Sequence, residues 1–406
     1  MFSRYFKENF QHKIRKRRRK LKKLIILVGL LMFVVGSMSM VGTAHAGKKL
    51  KAGFIYVGPV GDYGWSHAHE MGRRYAMKRL PWLDSVYVES VSEADCARII
   101  DRLIQGEKCD VIFTTSFGYM DATIAAGNKY PNKIFMHCSG FKRAKNVGTY
   151  FAELYQMYYL NGLMAGALTK NNKVGYVGAF PIPEVIRHID AYALGVKAVN
   201  PKATVHVRWL FAWYAPGKAK EAAEALVADG CDALAFTEDS PSVIQVGQEH
   251  TEKGEPVFTF SHYSPMEKFG PDSAVSGQLV DWGIMYERIL KDIHDGKWTN
   301  EDMWWRVKEG AAHLGASPDH KVNPKFVGKL KSIMVSTPDL GKISAYDLVM
   351  KRLDQMKRGP EVFDPFVGPI KDNKGNLRLK KGQRATKAQL LSINYYVDNI
   401  VGNIPK

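Results

Sequence analysis

The chain alternates short apolar runs with longer amphipathic stretches, and it does so twice. The apolar run Phe54-Ile55-Tyr56-Val57 breaks into a loop carrying Gly58, Pro59, Gly61 and Gly64, and a helical pattern follows over 67–79. A continuous apolar run bounded by glycines reads as a buried strand turning into a helix. Strand-like stretches recur at 85–91, 110–115, 134–139 and 147–151, with helical stretches at 93–105 and 119–129 between them. After Glu153 the pattern restarts. A helix over 153–168 leads into strands at 173–179, 205–210, 233–237, 257–261 and 275–281, with helices at 184–199, 217–228 and 241–250. Strands alternating with such helices predict right-handed βαβ units on parallel sheets.

Because the second half repeats the first in order and spacing, the expected fold is α/β, with two doubly wound lobes joined by a hinge. Lobe one is assigned to 47–152 and lobe two to 153–281. Residues 282–406 cross back and complete the lobes. Gly162, Ala165, Gly166 and Ala167 suit the helix over 153–168 to close packing near the hinge. The tryptophan-rich stretch 298–306 is read as packing on the lobes, because indoles carry large apolar area. One or two helices are expected over 325–357, a hairpin around Asp372–Asn376, and a last helix over 387–394.

Residues 1–46 are read as an export signal. A basic run, RKRRRKLKK, precedes an apolar segment over 24–41, and Ala44-His45-Ala46 fits the small-x-small cleavage pattern, with Gly47 the first mature residue. An uncleaved amino-terminal anchor is the rival reading. Either places the protein in the periplasm or another extracytoplasmic compartment. This segment holds eleven Lys/Arg and the single acid Glu8, so it carries ten of the eighteen net positive charges. The moderate excess left on the mature chain gives no argument for nucleic acid. Four cysteines remain, and Cys96 with Cys109 form the best-placed pair for a bridge, weighed evenly against buried free thiols. No C-x-x-C motif or His/Cys cluster points to a metal, and the loop spacing G-x-x-G-x-x-G is not that of a dinucleotide site, so no cofactor is expected.

In open parallel sheets ligands bind beyond the carboxyl ends of the strands. In lobe one those ends carry Asp62, Tyr63 and Trp65, then Ser116 and Phe117; in lobe two they carry the stretch 180–184, Trp213-Tyr214, Glu238-Asp239-Ser240 and His262-Tyr263. Asp281 ends the strand leading out of lobe two. Aromatic and acidic tips with few basic residues suit a flat ring bearing amino groups. They do not suit a phosphate or carboxylate, which calls for arginine.

Four stretches carry a resemblance: KAGFIYVGPVGDYGWSHAHEMGRR, TTSFGYMDA, YFAELYQMYYLNGLMAGALTK and KVGYVGAFPIPEVIRHIDAYALGVKAVNP. Together they resemble the basic membrane protein family, the substrate-binding components of ABC importers whose relatives bind purine nucleosides. The resemblance spans about residues 49–312. It implies a type I periplasmic-binding fold, partnership with an ABC permease, and a monomer that delivers a purine to it. Asp62 and Trp65 match the acid and aromatic of the family's first loop, and Trp213 resembles its second stacking residue, with Phe117 as a further wall. The family's acidic ribose ligand is absent from Phe260-Ser261-His262-Tyr263, which favours a free base, adenine first, over a nucleoside. Glu238 and Asp281 are then the expected acceptors for an exocyclic amine and a ring N–H. A sensor module signalling through a receptor is the competing reading. An enzyme is disfavoured, since His137-Cys138-Ser139 has no G-x-S-x-G elbow or ordered acid partner.

Overall fold

The computed structural model describes residues 49–405. The export signal expected over 1–46 lies outside the described residues. Two parallel sheets organise the chain. In the first, β1 (Leu50–Tyr56), β2 (Leu83–Val88), β3 (Val111–Thr115), β4 (Ile134–Cys138) and β5 (Val147–Ala152) lie in the order 2-1-3-4-5. In the second, β6 (Lys173–Gly178), β7 (Thr204–Trp209), β8 (Ala233–Thr237), β9 (Phe258–Tyr263) and β10 (Ala274–Val280) lie in the order 7-6-8-9-10, the same winding again. Each sheet therefore reverses direction between its first and third strands, where an α/β crevice opens. The internal repetition read from the sequence is a repetition of topology.

The chain passes between the sheets three times. It first leaves β5 for the helix Tyr155–Leu168, which packs within lobe two. It returns after β10 into the helix Trp282–His294, which lies on the lobe-one helix Trp65–Arg79. β11 (Asp302–Trp305) then joins β5 in parallel, and β12 (Ala312–Leu314) goes back to pair antiparallel with β10. Near the end, the short strand Ile400–Val401 adds to β7. The tryptophan-rich stretch thus supplies an edge strand of lobe one. The late hairpin forms between Ile370–Lys371 and Leu377–Leu379, and the stretch 325–357 holds two helices, Pro324–Ser332 and Ala345–Arg358.

The helix Tyr155–Leu168 is buried on nearly every face because it is clamped against the helix Pro183–Val199. Gly162 and Gly195 meet at that crossing, and a Cβ on either would run into the backbone of the other helix. The small residues therefore bring two helices of one lobe together. They do not form the hinge itself.

Of the two readings weighed for Cys96 and Cys109, the structure shows the buried free thiols: both lie unbridged in the same apolar cluster. Cys96 opens the helix Cys96–Gln105, and Cys109 lies beyond its other end. Ten helical residues rise about 15 Å, whereas a disulfide needs Cα atoms within roughly 7 Å. Burial pushes the Cys96 thiol up to about 12 and the Cys109 thiol up to about 11.

Candidate functional site

Both crevices open toward each other, and a small cavity lies between the lobes. Lobe one lines it with Trp65, Phe117 and Ser139, and lobe two with Glu184, Trp213, Asp239, His262 and Tyr263 among others. Every one of these residues stands at or just beyond the carboxyl end of a strand. No lysine or arginine is among the lining residues.

Trp65 is nearly buried, and its indole Nε1 donates to the Thr115 carbonyl at 2.5 Å. Its ring makes an edge contact with Tyr263 at 5.1 Å and with Trp282 at 5.4 Å. It is thus a wall held by hydrogen bond and packing, where the sequence suggested a free loop tip. Trp213 is half-buried on the opposite lobe and leans on Phe180, ring centroids 5.0 Å apart. Phe117 is also half-buried and lines the cavity.

The acids are distributed differently from expectation. Asp62 accepts N–H bonds from Gly64 at 2.8 Å, Ser66 at 3.1 Å and His67 at 2.9 Å, so its carboxylate ties down the start of the helix Trp65–Arg79. It is not among the cavity's lining residues. Asp281 is placed elsewhere: it caps the helix Trp282–His294 by accepting from Gly283 N–H at 3.0 Å, and it borders a separate open groove. A short polar side chain just before a helix is drawn to the free N–H groups there, which is the physical reason both aspartates turn away from the crevice. Glu238 is fully buried and is not among the cavity's lining residues; its Oε1 accepts from Ser240 Oγ at 2.9 Å. Its Oε2 has no partner among the described residues.

The lining acids are Asp239 and Glu184. Asp239 of lobe two accepts the Trp65 N–H of lobe one at 2.9 Å. Glu184 accepts from the Ser139 hydroxyl across the crevice and from Tyr263 OH at 3.2 Å. Neither was singled out from sequence, although both stood in stretches read as loop tips. Consecutive residues leaving a strand point to opposite sides, so choosing Glu238 over Asp239 turned on a parity that composition does not reveal.

Burial raises the carboxyls of Glu238 and Asp239 well above the ordinary range, and Asp62 repels the charge on both. Burial likewise raises Glu184, and it pushes Asp62 up to about 6 against its three N–H bonds. Carboxyl oxygens accept, so this cluster suits a ligand carrying N–H groups. His262 adds a ring nitrogen. Its Nδ1 meets Tyr158 OH at 2.6 Å and Gln278 Nε2 at 3.0 Å, and Asn161 Nδ2 donates to Gln278 Oε1 at 2.7 Å. Its Nε2 has no partner among the described residues. Burial lowers the ring well below its usual value, so it is neutral. The Cys138 thiol is buried and raised well above its ordinary value, which makes it a poor nucleophile.

Two α/β lobes of identical winding, linked by three crossings and closing on a small polar-aromatic cavity, define a solute-binding protein of the type I periplasmic-binding fold. The chain matches the Bmp family, described as PnrA-like ABC transporter substrate-binding proteins, over residues 49–334, and it belongs to that family. It is 33% identical over 380 residues to a purine-binding protein of Brucella abortus, covering 93% of this chain and all of that one. It is 35% identical to a putative ABC transporter glucose-binding protein of Haloferax volcanii, covering 75% of this chain and 78% of that one. Among solved structures, an ABC transporter solute-binding protein of Aeropyrum pernix K1 superposes with a TM-score of 0.66 at 17% identity. That match covers 80% of this chain and 93% of the other.

Proposed function

We propose that this protein is the extracytoplasmic capture component of an ABC importer for purine bases, with adenine the preferred ligand. It works as a monomer and hands the base to a membrane permease. The observation that carries this reading is the cavity's composition: indole and phenyl walls from both lobes, carboxyls at the edges, and no cationic side chain. A flat heterocycle stacks on such walls, each face contributing roughly 1–3 kcal/mol. Asp239 and Glu184 take the exocyclic amine and a ring N–H, and His262 Nε2 meets a ring nitrogen. Glu238 supports the cluster without lining the cavity. Asp62 acts through the helix start and Asp281 outside the cavity, so neither is proposed to touch the base. The kinship with a protein named for purine binding supports the same ligand class.

The test is mass spectrometry of whatever small molecule denaturation releases from the purified mature chain, followed by calorimetry with that compound. Release and rebinding of adenine or another purine supports the reading. Tight binding of glucose, the ligand named for the Haloferax relative, with none of a purine would overturn it while leaving the family intact.

A further inference from the structure

The seam where the lobes meet sets two carboxyls side by side. Asp62 stands on the first loop of lobe one, and Asp239 just beyond β8 of lobe two. Asp62 Oδ1 accepts from Gly64 N–H at 2.8 Å, and Asp239 Oδ1 accepts from Trp65 N–H, the very next amide, at 2.9 Å. The approach is tight: a Cβ on Gly64 would stand 2.6 Å from Asp239 Oδ1. Both side chains are shut away from water, with Asp62 1% and Asp239 2% exposed. Two like charges so placed repel, and one carboxyl is driven to hold a proton.

The surrounding groups do not relieve the pair. From lobe two, Glu238 precedes Asp239, Glu184 lines the same cavity, and the Tyr263 phenol is kept neutral by burial. Arg187, on the helix of Glu184, is already paired with Glu153 at 2.8 Å. From lobe one, His67 gives Asp62 its backbone N–H, while its ring Nδ1 meets the Val60 carbonyl at 3.0 Å. Glu89 is exposed and accepts the Val60 N–H. Lys268 reaches this loop, but its ammonium lies over the Tyr63 ring, 4.0 Å from the centre. Burial pushes Asp62 up to about 6, and burial with repulsion from Asp62 raises Asp239 well above its usual value.

We propose that closing the lobes takes up one proton, held between Asp62 and Asp239, so that capture is tighter in acid surroundings than in alkaline ones. The device belongs to lobe closure and goes beyond the purine reading, since any solute that needs the closed form would feel it. When the lobes part, Asp239 leaves the Trp65 N–H and water reaches both carboxyls, so each returns toward the ordinary value of about 3.9. Above that value the open pair has released its protons, while the closed pair keeps one up to about 6. Closure therefore strengthens as pH falls toward about 4, and the gain is lost as pH rises through the closed-form value.

The experiment is calorimetry of adenine with the mature wild-type chain and with Asp62→Asn from pH 5 to pH 8, beside X-ray scattering of both ligand-free proteins over the same range. Asparagine caps a helix as well as aspartate does and keeps an oxygen for the Gly64 and His67 N–H groups, so the variant loses the charge and not the helix start. Asp62 does not line the cavity, so the substitution leaves the adenine contacts in place. The ratio of wild-type Kd to variant Kd is expected to rise about tenfold from pH 5 to pH 8. Protons taken up by adenine, Glu184 or Glu238 cancel in that ratio, and a merely structural role for Asp62 would shift it equally at every pH. A ratio that does not change with pH overturns the proposal, whatever its size. If adenine binds neither protein, the purine reading falls by itself and the scattering decides the pair. A wild type that contracts from pH 8 to pH 5, beside a variant contracted throughout, supports it; equal radii for both proteins at both ends of the range overturn it.

Discussion

The strongest single-residue device outside the cavity is Glu153, at the first passage between lobes. It is fully buried and faces Arg187 at 2.8 Å, with His188 at 3.6 Å. Burial alone raises such a carboxyl; the Arg187 guanidinium, helped by His188, overrides it and brings Glu153 down to about 2. Its folded value lies below its unfolded one, so between about 4.5 and 2 the unfolded chain binds more protons, and the stabilisation fades as pH falls through that window. Glu153→Gln leaves Arg187 buried without its counter-charge and is expected to cost about 3–5 kcal/mol at pH 7. Urea denaturation should show the gap between variant and wild type narrowing steadily from pH 5 to pH 3. Within the cavity, Trp65→Ala and Trp213→Ala should each weaken base binding by roughly 1–3 kcal/mol in calorimetry. Trp65 should also cost stability, since its indole fills space between Tyr263 and Trp282.

At the scale of elements, the loop between β1 and its helix does more than shape the cavity. Asp62 holds three N–H groups of the helix start, and Asp239 reaches over from the other lobe to hold a fourth, that of Trp65. The helix is therefore fully capped only when the lobes are closed. At the loop tip Tyr63 sets its ring edge-on to Phe269 at 4.9 Å, with Lys268 Nζ 4.0 Å from the ring centre. Gly64 makes the closest approach: a Cβ there would lie 2.6 Å from the Asp239 Cα. Gly64→Ala should leave both lobes folded and block closure, read as a lost ligand-induced contraction in X-ray scattering with an unchanged melting temperature of the free protein. Tyr63→Ala should speed ligand release about 3–10-fold in stopped-flow traces, as expected for losing an aromatic contact of about 0.5–1.5 kcal/mol. Tyr63→Phe should release at the wild-type rate.

Over the whole molecule, three passages link the two lobes, and a polar-aromatic seam lines the cavity between them, an arrangement suited to hinge closure around a ligand. A ligand that binds only the closed form should stabilise the fold by about 2.7 kcal/mol at a hundredfold excess over Kd, visible as a raised melting temperature. Much of this architecture was legible in the chain. The apolar runs, the glycine turns and their repetition after Glu153 are local patterns, and local sterics with the strand and helix periods determine them; the doubly wound order follows from the right-handed crossover. The aromatic walls were legible too, because Trp65, Phe117 and Trp213 must lie at strand ends in any such sheet. Which acid faces the cavity was not. Asp62 and Asp281 carry the same side chain as Asp239, but helix starts claim the first two, and strand parity separates Asp239 from its neighbour Glu238. The Ser139–Glu184 contact joins residues 45 positions apart on different lobes, and the distance from Cys96 to Cys109 depends on the helix between them. Secondary structure and its repetition were determined by the sequence through short-range sterics and periodicity; the identity of the lining groups was decided by tertiary structure, because it depends on which surfaces meet when two separately folded lobes close.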